Sequence, residues 1–339
     1  MTRVLIAALV ALIVSILIGP RFIEFLRSNE FGQHIREEGP EHHMSKQGTP
    51  TMGGLMILFA ATVAFLPLTH FTLQGLTVLF ATLACGAVGF LDDFIKLTHR
   101  RSLGLSGRWK MLLLVGIAAI VSLVANHLQI EHSVFLPIAN VNIPLSYGWY
   151  VFVFLIIAGT ANGTNLADGV DGLAAGTGII AIFTFTAMNV VSYVRSGTDV
   201  THRNLTDLDL AIIGAALVGA AIGFLWYNAF PAEVIMGDTG SMALGGAIGA
   251  FAVMTKTELL LLLIGGIFVV EAVSVILQVF SFRYWGRRLF LMAPIHHHFE
   301  MKAWSETKIM VRFWILAAIM CAAAFAFYYR YYLDFRALR

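Results

Sequence analysis

Long apolar runs alternate with short polar connections along the whole chain, and most runs could cross the roughly 30 Å hydrocarbon core of a membrane. The predicted fold class is therefore an all-α polytopic membrane protein with about ten transmembrane helices, forming a single domain over residues 1–339. Residues 131–144, between the fourth and fifth spans, predict a short extended or hairpin element. The predicted spans are residues 5–26, 52–68, 73–91, 111–128, 147–161, 173–194, 210–230, 241–254, 259–282 and 311–329.

Composition supports lipid as the surrounding solvent. The chain is 58% hydrophobic and 12% charged, against roughly 25% charged in soluble domains. A net charge of +2 gives no general basic surface, so nucleic acid is excluded as a partner. Cys85 and Cys321 lie far apart inside apolar runs, which indicates small core residues and no disulfide framework.

The cations are distributed unevenly between the two sides of the predicted bundle. Fifteen of the 22 Lys and Arg residues fall in the odd-numbered connections between spans. The positive-inside rule makes that side cytoplasmic and places both termini in the periplasm. The connections with unusual chemistry lie on the same side.

The first candidate site is the adjacent pair Asp92 and Asp93, where the third run meets its polar connection. Neighbouring helical side chains point about 100° apart, so one could coordinate Mg²⁺ while the other faces a second substrate. The alternative is a solvated helix end, which is the ordinary interpretation of an isolated Asp-Asp pair.

The second candidate is the fifth connection, residues 162–172, which is rich in Gly, Asn and Asp. Its glycines let backbone amides approach a phosphate or a base, and Asp168 and Asp171 could share one helical face. Asn162 and Asn165 add neutral hydrogen-bonding groups. Ordinary turn chemistry accounts for the same composition.

The third candidate precedes the eighth run, where Asp238 and Ser241 belong to a Gly-Asp-Thr-Gly-Ser segment. Asp238 is placed to ligate a cation, and Ser241 with helix N-terminal amides could hold phosphate oxygens. A simple helix N-cap is the alternative, and the two roles are compatible.

Two further groups lie near the C-terminus. Three consecutive histidines, residues 296–298, cannot all face one metal on a regular element, so we favour diphosphate binding beside Arg287 and Arg288 over a zinc site. Glu271, Ser274 and Gln278 form a polar stripe in the ninth span, for which structural hydrogen bonding and ligand binding both stay open.

Other classes of membrane protein fit less well. An intramembrane aspartyl protease requires a glycine where Ile235 stands, and a prenyltransferase requires paired Asp-x-x-x-Asp motifs. A transporter predicts polar residues along the midplane of several spans, whereas only the ninth span carries such a stripe.

Together these motifs resemble the polyprenyl-phosphate N-acetylhexosamine-1-phosphate transferases over nearly the whole chain. The histidine segment is similar to the branch that transfers phospho-MurNAc-pentapeptide. The segments that carry the resemblance are residues 48–54, 90–93, 165–172, 224–228, 236–241 and 293–298.

The resemblance implies transfer of phospho-MurNAc-pentapeptide from UDP-MurNAc-pentapeptide to undecaprenyl phosphate, with lipid I and UMP as products. It also implies Mg²⁺ as cofactor, a homodimer, and a multi-pass protein of the bacterial cytoplasmic membrane with its active site on the cytoplasmic face. Asp238 is the implied Mg²⁺ ligand, and the predicted catalytic residues are Asp92, Asp93, Asp238 and His297. The predicted substrate-binding residues are Lys46, Thr51, Lys110, Asn162, Asn165, Asp168, Asp171, Asn228, Ser241, Gln278, His296 and His298.

The expected chemistry is direct attack by the lipid phosphate, because the second pKa of a phosphate monoester is about 6 and the group is already largely an anionic nucleophile at neutral pH. Asp92 or Asp93 would position or deprotonate this acceptor. The competing hypothesis makes Asp93 a covalent nucleophile in a two-step reaction.

Overall fold

The computed structural model describes residues 1–29, 48–99, 104–197 and 202–333, which are almost entirely helical. A two-stranded hairpin, β1 (Ser133–Leu136) and β2 (Val141–Pro144), joins α4 to α5, and a π-helical segment, Tyr328–Tyr332, continues α12. The predicted all-α polytopic class is confirmed. The helices are α1 Thr2–Ser28, α2 Gly54–Phe65, α3 Leu73–Thr98, α4 Gly107–His127, α5 Gly148–Ala167, α6 Leu173–Arg195, α7 Leu205–Asn228, α8 Gly237–Met254, α9 Leu261–Ile264, α10 Gly266–Trp285, α11 Ile295–Glu300 and α12 Glu306–Phe327.

Eight helices within the described ranges are long and apolar enough to cross a membrane: α1, α3 to α7, α10, and α12 with its π-helical extension. The other two predicted spans are shorter. The 12 residues of α2 reach only about 18 Å at 1.5 Å per residue. The 18 residues of α8 begin with a polar first turn, so this helix depends on its neighbours for burial.

The centre of the bundle is α8, in which nearly every residue is buried. It packs against α3 and α5, and small residues allow these close contacts. At Gly89 of α3, a Cβ atom would lie 2.0 Å from the carbonyl oxygen of Asp238. The glycine therefore brings the end of α3 directly against the beginning of α8.

The structure differs from the predicted elements at several functional segments. Helix α3 continues to Thr98, so Asp92 and Asp93 lie inside the helix rather than at its end. Helix α5 continues to Ala167 and includes Asn162 and Asn165, which were predicted to lie in the connection. In both places tertiary packing overrides the local preference of Gly, Asn and Asp for turns.

The predicted ninth span is two helices, because the chain breaks between α9 and α10 at Gly265. The pair Gly265-Gly266 was the signal in the sequence that could have marked this break. The predicted connection after α10 also contains a short helix, α11, which carries all three histidines.

The hairpin predicted between the fourth and fifth spans is confirmed, with Val134 opposite Ile143 in an antiparallel register. Lys256, from the connection between α8 and α9, donates hydrogen bonds to the carbonyl oxygens of Glu131 and Ser133. The neighbouring Glu258 is buried. This connection and the hairpin therefore form one packed region at the end of α8 opposite Asp238.

Candidate active site

Three carboxylates from two helices converge at the beginning of α8. Asp92 and Asp93 belong to α3, Asp238 belongs to the first turn of α8, and one oxygen from each lies within 4.8 Å of the others. Asp92 and Asp93 are each only 4% exposed. Both side chains lie near Asp238, but their partners differ: Asp92 contacts Lys96 and accepts from the backbone N–H of Leu105, whereas Asp93 accepts from the first turn of α8.

Asp93 holds the first turn of α8 through its side chain. Its Oδ1 accepts from the backbone N–H of Asp238 at 3.2 Å, and its Oδ2 accepts from the backbone N–H and the hydroxyl of Thr239 at 2.9 and 2.7 Å. Negative charge at a helix N-terminus is stabilised by these amides and by the helix dipole. The Asp93 carboxylate therefore acts as an N-terminal cap supplied by a different helix.

Two lysines neutralise the cluster. The Nζ of Lys96 lies 2.6 Å from Asp92 Oδ2 and 3.2 Å from Asp238 Oδ1. The Nζ of Lys110, at the beginning of α4, lies 3.0 Å from Asp238 Oδ2. Lys110 was among the predicted binding residues, whereas Lys96 was counted only as a cation. Its position four residues after Asp92 on one helix was the signal that could have placed it in the site.

Asn165 connects α5 to the same carboxylate. Its Nδ2 donates to Asp238 Oδ1 at 2.8 Å and to the Ser241 hydroxyl oxygen at 3.0 Å. The predicted residues Asn165, Asp238 and Ser241 therefore meet in one contact. Asn162, one turn earlier, donates instead to the carbonyl oxygen of Ala158 in its own helix.

Asp168 and Asp171 lie in the turn between α5 and α6, so they do not share a helical face as one interpretation of their spacing suggested. Burial, together with the negative charges of Asp238, Asp93 and Asp171, raises the pKa of Asp168, although the backbone N–H of Gly237 donates to its carboxylate. Asp171 Oδ2 accepts from the backbone N–H of Ala232 at 3.1 Å. The turn is therefore attached to the segment that leads into α8.

Asn228 uses its amide to join two backbone segments. Its Oδ1 accepts from Gly172 N–H at 3.1 Å, and its Nδ2 donates to the carbonyl oxygen of Val234 at 2.9 Å. The side chain is 2% exposed. In this arrangement Asn228 fixes the loop between α7 and α8 against the beginning of α6.

Thr51 belongs to a segment that pairs with the chain just before α8. Ile235 N–H donates to Pro50 C=O at 2.8 Å, and Gly53 N–H donates to Ile235 C=O at 2.9 Å. A Cβ atom on Gly237 would lie 2.9 Å from the hydroxyl oxygen of Thr51, which places this threonine beside the acidic cluster. Lys46 lies outside the described residues.

The three histidines of α11 have different partners. His296 is fully buried, with Nδ1 3.1 Å from Glu271 Oε1, and His297 Nδ1 contacts Glu300 Oε2. His298 Nδ1 accepts from Leu291 N–H at 3.1 Å. Burial and the charge of Lys302 lower the pKa of His298, which favours the neutral ring that accepts this hydrogen bond.

Gln278 holds the chain that leads to α11. Its Oε1 accepts from the backbone N–H groups of Leu289 and Phe290, and its Nε2 donates to the carbonyl oxygen of Phe290. The sequence predicted this amide as a substrate-binding residue. Its hydrogen bonds in the structure are to the loop backbone.

The donor set of the cluster fits a hard divalent cation. Three carboxylates supply oxygen atoms within 4.8 Å of one another, and Mg²⁺ prefers such oxygen ligands. The ammonium groups of Lys96 and Lys110 already balance negative charge at the same oxygens. An acidic centre beside lysines, at the end of a membrane-embedded helix bundle, defines a polytopic membrane enzyme with a site for phosphorylated substrates.

Comparison with known proteins agrees with this class and narrows it. The profile described as "Glycosyl transferase family 4" matches residues 75–256, and the "Phospho-N-acetylmuramoyl-pentapeptide-transferase signature 1" matches residues 46–58. A phospho-N-acetylmuramoyl-pentapeptide-transferase of Rubrobacter xylanophilus is 44% identical, with 97% of this chain and 98% of that protein covered.

Proteins of the same name from Bacillus pumilus and Desulfitobacterium hafniense are 42% and 44% identical, each with 94% of this chain and 95% of the relative covered. The chain belongs to the phospho-N-acetylmuramoyl-pentapeptide-transferase family.

Proposed function

We propose that this chain transfers phospho-MurNAc-pentapeptide from UDP-MurNAc-pentapeptide to undecaprenyl phosphate, giving lipid I and UMP. The observation that carries the proposal is the cluster of Asp92, Asp93 and Asp238 with Lys96 and Lys110. Transfer between two phosphorylated substrates brings several negative charges together, so fixed cations and oxygen ligands at one place are what the reaction needs. Family membership supports the choice of donor and acceptor.

A bound Mg²⁺, held by Asp238 with Asp92 beside it, would neutralise the diphosphate of the donor. The protein's own groups contribute the rest. Lys96 and Lys110 present ammonium groups at the edge of the carboxylate cluster, where they would stabilise the charge that develops on the departing UMP.

We propose a single displacement. An oxygen of the acceptor phosphate attacks the sugar-bearing phosphorus, the bond from that phosphorus to the oxygen of UMP breaks, and UMP leaves with that oxygen. The engagement of both Asp93 oxygens by Asp238 and Thr239 favours this route over a covalent Asp93 intermediate. Asp92 is the carboxylate that we assign to positioning the acceptor.

The donor side of the site is proposed to include the predicted residues that converge around α8. Asn165 orients the Asp238 carboxylate and is itself held by Ser241, and the turn with Asp168 and Asp171 borders the space for the nucleotide. Thr51 would lie on the neighbouring segment, and Lys46 is proposed from the sequence alone as a further donor-binding residue. His297 and His298 of α11 would border the sugar and peptide.

We propose the orientation of the protein in the membrane from the distribution of its Lys and Arg residues. The acidic cluster and α11 are proposed to face the cytoplasm of a bacterial inner-membrane protein, with both termini in the periplasm and residues 1–339 as one catalytic domain. A homodimer is part of the same proposal, and native mass spectrometry from detergent tests it. A monomer at the concentrations used for the activity assay would contradict the homodimer and leave the proposed activity unaffected.

The decisive experiment is turnover by the purified full-length protein with UDP-MurNAc-pentapeptide, undecaprenyl phosphate and Mg²⁺. We expect lipid I and UMP in equal amounts, with UDP-N-acetylglucosamine a poor competing donor. Absence of UMP release under these conditions would overturn the proposed activity. Exchange of labelled UMP into the donor, in delipidated enzyme without acceptor, would instead support the covalent route.

A further inference from the structure

A buried carboxylate and a buried imidazole contact each other between α10 and α11. Glu271 and His296 are both 0% exposed, and His296 Nδ1 lies 3.1 Å from Glu271 Oε1. The two helices approach each other at this contact. Glu271 is in the polar stripe of α10, one turn before Ser274. The Ser274 hydroxyl donates to the backbone carbonyl oxygen of Glu271 and not to the Glu271 carboxylate.

Each member of this pair depends on the other for a polar partner. Both carboxylate oxygens of Glu271 and both ring nitrogens of His296 are buried, and none of the four makes a hydrogen bond of good geometry among the described residues, so the 3.1 Å approach is the polar contact that the two groups share. Burying a carboxylate costs free energy unless another group compensates it, and removing one member of such a pair leaves the other uncompensated. The contact therefore holds α11 in place against α10.

The other edge of the His296 ring packs against the turn between α5 and α6. A Cβ atom on Gly169 would lie 2.4 Å from His296 Nε2, so a larger residue at this position would displace the ring. Gly169 stands between Asp168 and Asp171. These two carboxylates accept backbone hydrogen bonds from Gly237 and Ala232, in the segment that leads into α8.

We propose that Glu271 is a positioning residue for the donor half of the site. It orients His296, and the ring of His296 packs against the Asp168–Asp171 turn at Gly169. Glu271 itself does not touch substrate. This inference rests on the proposed function, because the donor is the UDP-sugar named there. The lipid acceptor is assigned to Asp92 on α3, so the proposal concerns the donor alone.

The test compares steady-state kinetics of Glu271→Leu, which removes the acceptor oxygens, with Glu271→Gln, which keeps one. For Glu271→Leu we expect the KM for UDP-MurNAc-pentapeptide to rise about tenfold or more, whereas kcat and the KM for undecaprenyl phosphate change less than about threefold. Glu271→Gln should restore most of the donor KM. Glu258→Gln and Glu258→Leu are the matched controls, since Glu258 is another buried acid but lies beside the hairpin, at the opposite end of α8 from Asp238.

A double-mutant cycle separates an effect through His296 from a general loss of packing. If Glu271 acts through the ring, Glu271→Leu combined with His296→Leu should raise the donor KM no more than the worse single variant does. Multiplied effects of the two substitutions, or equal rises in the KM values of donor and acceptor, would overturn the proposal.

A second variant avoids dependence on the folding of Glu271→Leu. Gly169→Ala pushes on the same ring from the other side, and it should raise the donor KM selectively while Glu271 stays in place. An unchanged donor KM in Gly169→Ala would contradict the proposal. The wild-type assay tests the proposed function separately. If the wild-type protein makes no lipid I, the proposed function is wrong, and this result is distinct from any difference between the variants.

Discussion

Asp93 and Thr239 are joined by two hydrogen bonds to a single carboxylate oxygen, 2.9 Å from the backbone N–H and 2.7 Å from the hydroxyl. They connect α3 to α8 at the turn that carries Asp238. The position of the proposed metal ligand is thus set by a neighbouring acid, which makes the two adjacent aspartates different in role. Asp93 determines where Asp238 stands, and Asp92 contacts Lys96 and accepts from the backbone N–H of Leu105.

Thr239→Val should weaken this connection, because the isosteric side chain removes the hydroxyl donor and leaves a buried carboxylate oxygen with one fewer partner. We expect a loss of about 1–3 kcal/mol in unfolding free energy and a lower kcat. Thermal unfolding in detergent and steady-state turnover measure the two effects. Thr239→Ser keeps the hydroxyl and is the control, so equal losses in both variants would contradict the hydrogen-bond explanation.

Lys110→Met should separate cation binding from phosphate neutralisation. Without the ammonium 3.0 Å away, Asp238 becomes a more strongly negative ligand, so the half-saturating Mg²⁺ concentration should fall. At the same time kcat should fall about tenfold or more, since one charge that stabilises the leaving phosphate is gone. A Mg²⁺ titration of turnover measures both parameters, and a rise in half-saturating Mg²⁺ would contradict this arrangement.

Asn165→Ala and Asn162→Ala test two asparagines that lie one turn apart on the same helix. Asn165 holds Asp238 and Ser241, so its loss should reduce kcat/KM about a hundredfold, of the order seen when a group supporting a metal ligand is removed. Asn162 bonds only its own helix among the contacts described above, and we expect at least tenfold less damage. Comparable losses in kcat/KM for the two variants would indicate that Asn162 also takes part in substrate binding, as the sequence predicted.

Glu258→Gln should change how stability depends on pH. Burial raises the pKa of Glu258 from 4.5 to about 7, although Lys256, whose Nζ is 4.0 Å away, opposes the shift. The folded protein therefore holds a proton that the unfolded chain loses, and stability falls as pH rises from about 4.5 through about 7.

Glutamine imitates the protonated carboxyl, so the variant should melt above the wild type at pH 8, by up to roughly 3 kcal/mol in unfolding free energy, and match it below pH 4.5. Melting temperatures across this range measure the difference. The Tyr332 hydroxyl also interacts with Glu258 among the described residues, and Tyr332→Phe should leave the direction of the trend unchanged. If the wild type instead gains stability relative to Glu258→Gln as the pH rises, the raised pKa of Glu258 is contradicted.

Sequence periodicity was sufficient for most of the long helices and for the hairpin, but it missed the break at Gly265 and the short helix α11. It failed where long-range contacts decide the structure. The two aspartates of α3 were placed at a helix end because acids near a polar connection usually mark one, yet Gly89 lets α8 pack against them and keeps them buried within the helix.

The contact between Glu271 and His296 was beyond sequence reasoning for a related cause. The polar stripe of the ninth span was visible, but its partner stands 25 residues later on a short helix within a polar connection. Lys96 differs, because its spacing from Asp92 was available in the sequence. Two carboxylates with an adjacent cation one helical turn away should be treated as one unit.

The grouping of Asp92, Asp93 and Lys96 on α3 has a consequence for insertion of the chain into the membrane during synthesis. Asp238 is synthesised 145 residues after Asp93, so α3 enters the membrane well before the helix that completes the site. Uncompensated carboxylates in a helix that enters the membrane are costly during insertion. The pair of Lys96 with Asp92, 2.6 Å apart on one helix, supplies a counter-ion as soon as α3 is helical. The nascent chain can therefore carry its acids to the membrane surface without waiting for α8, substrate or metal.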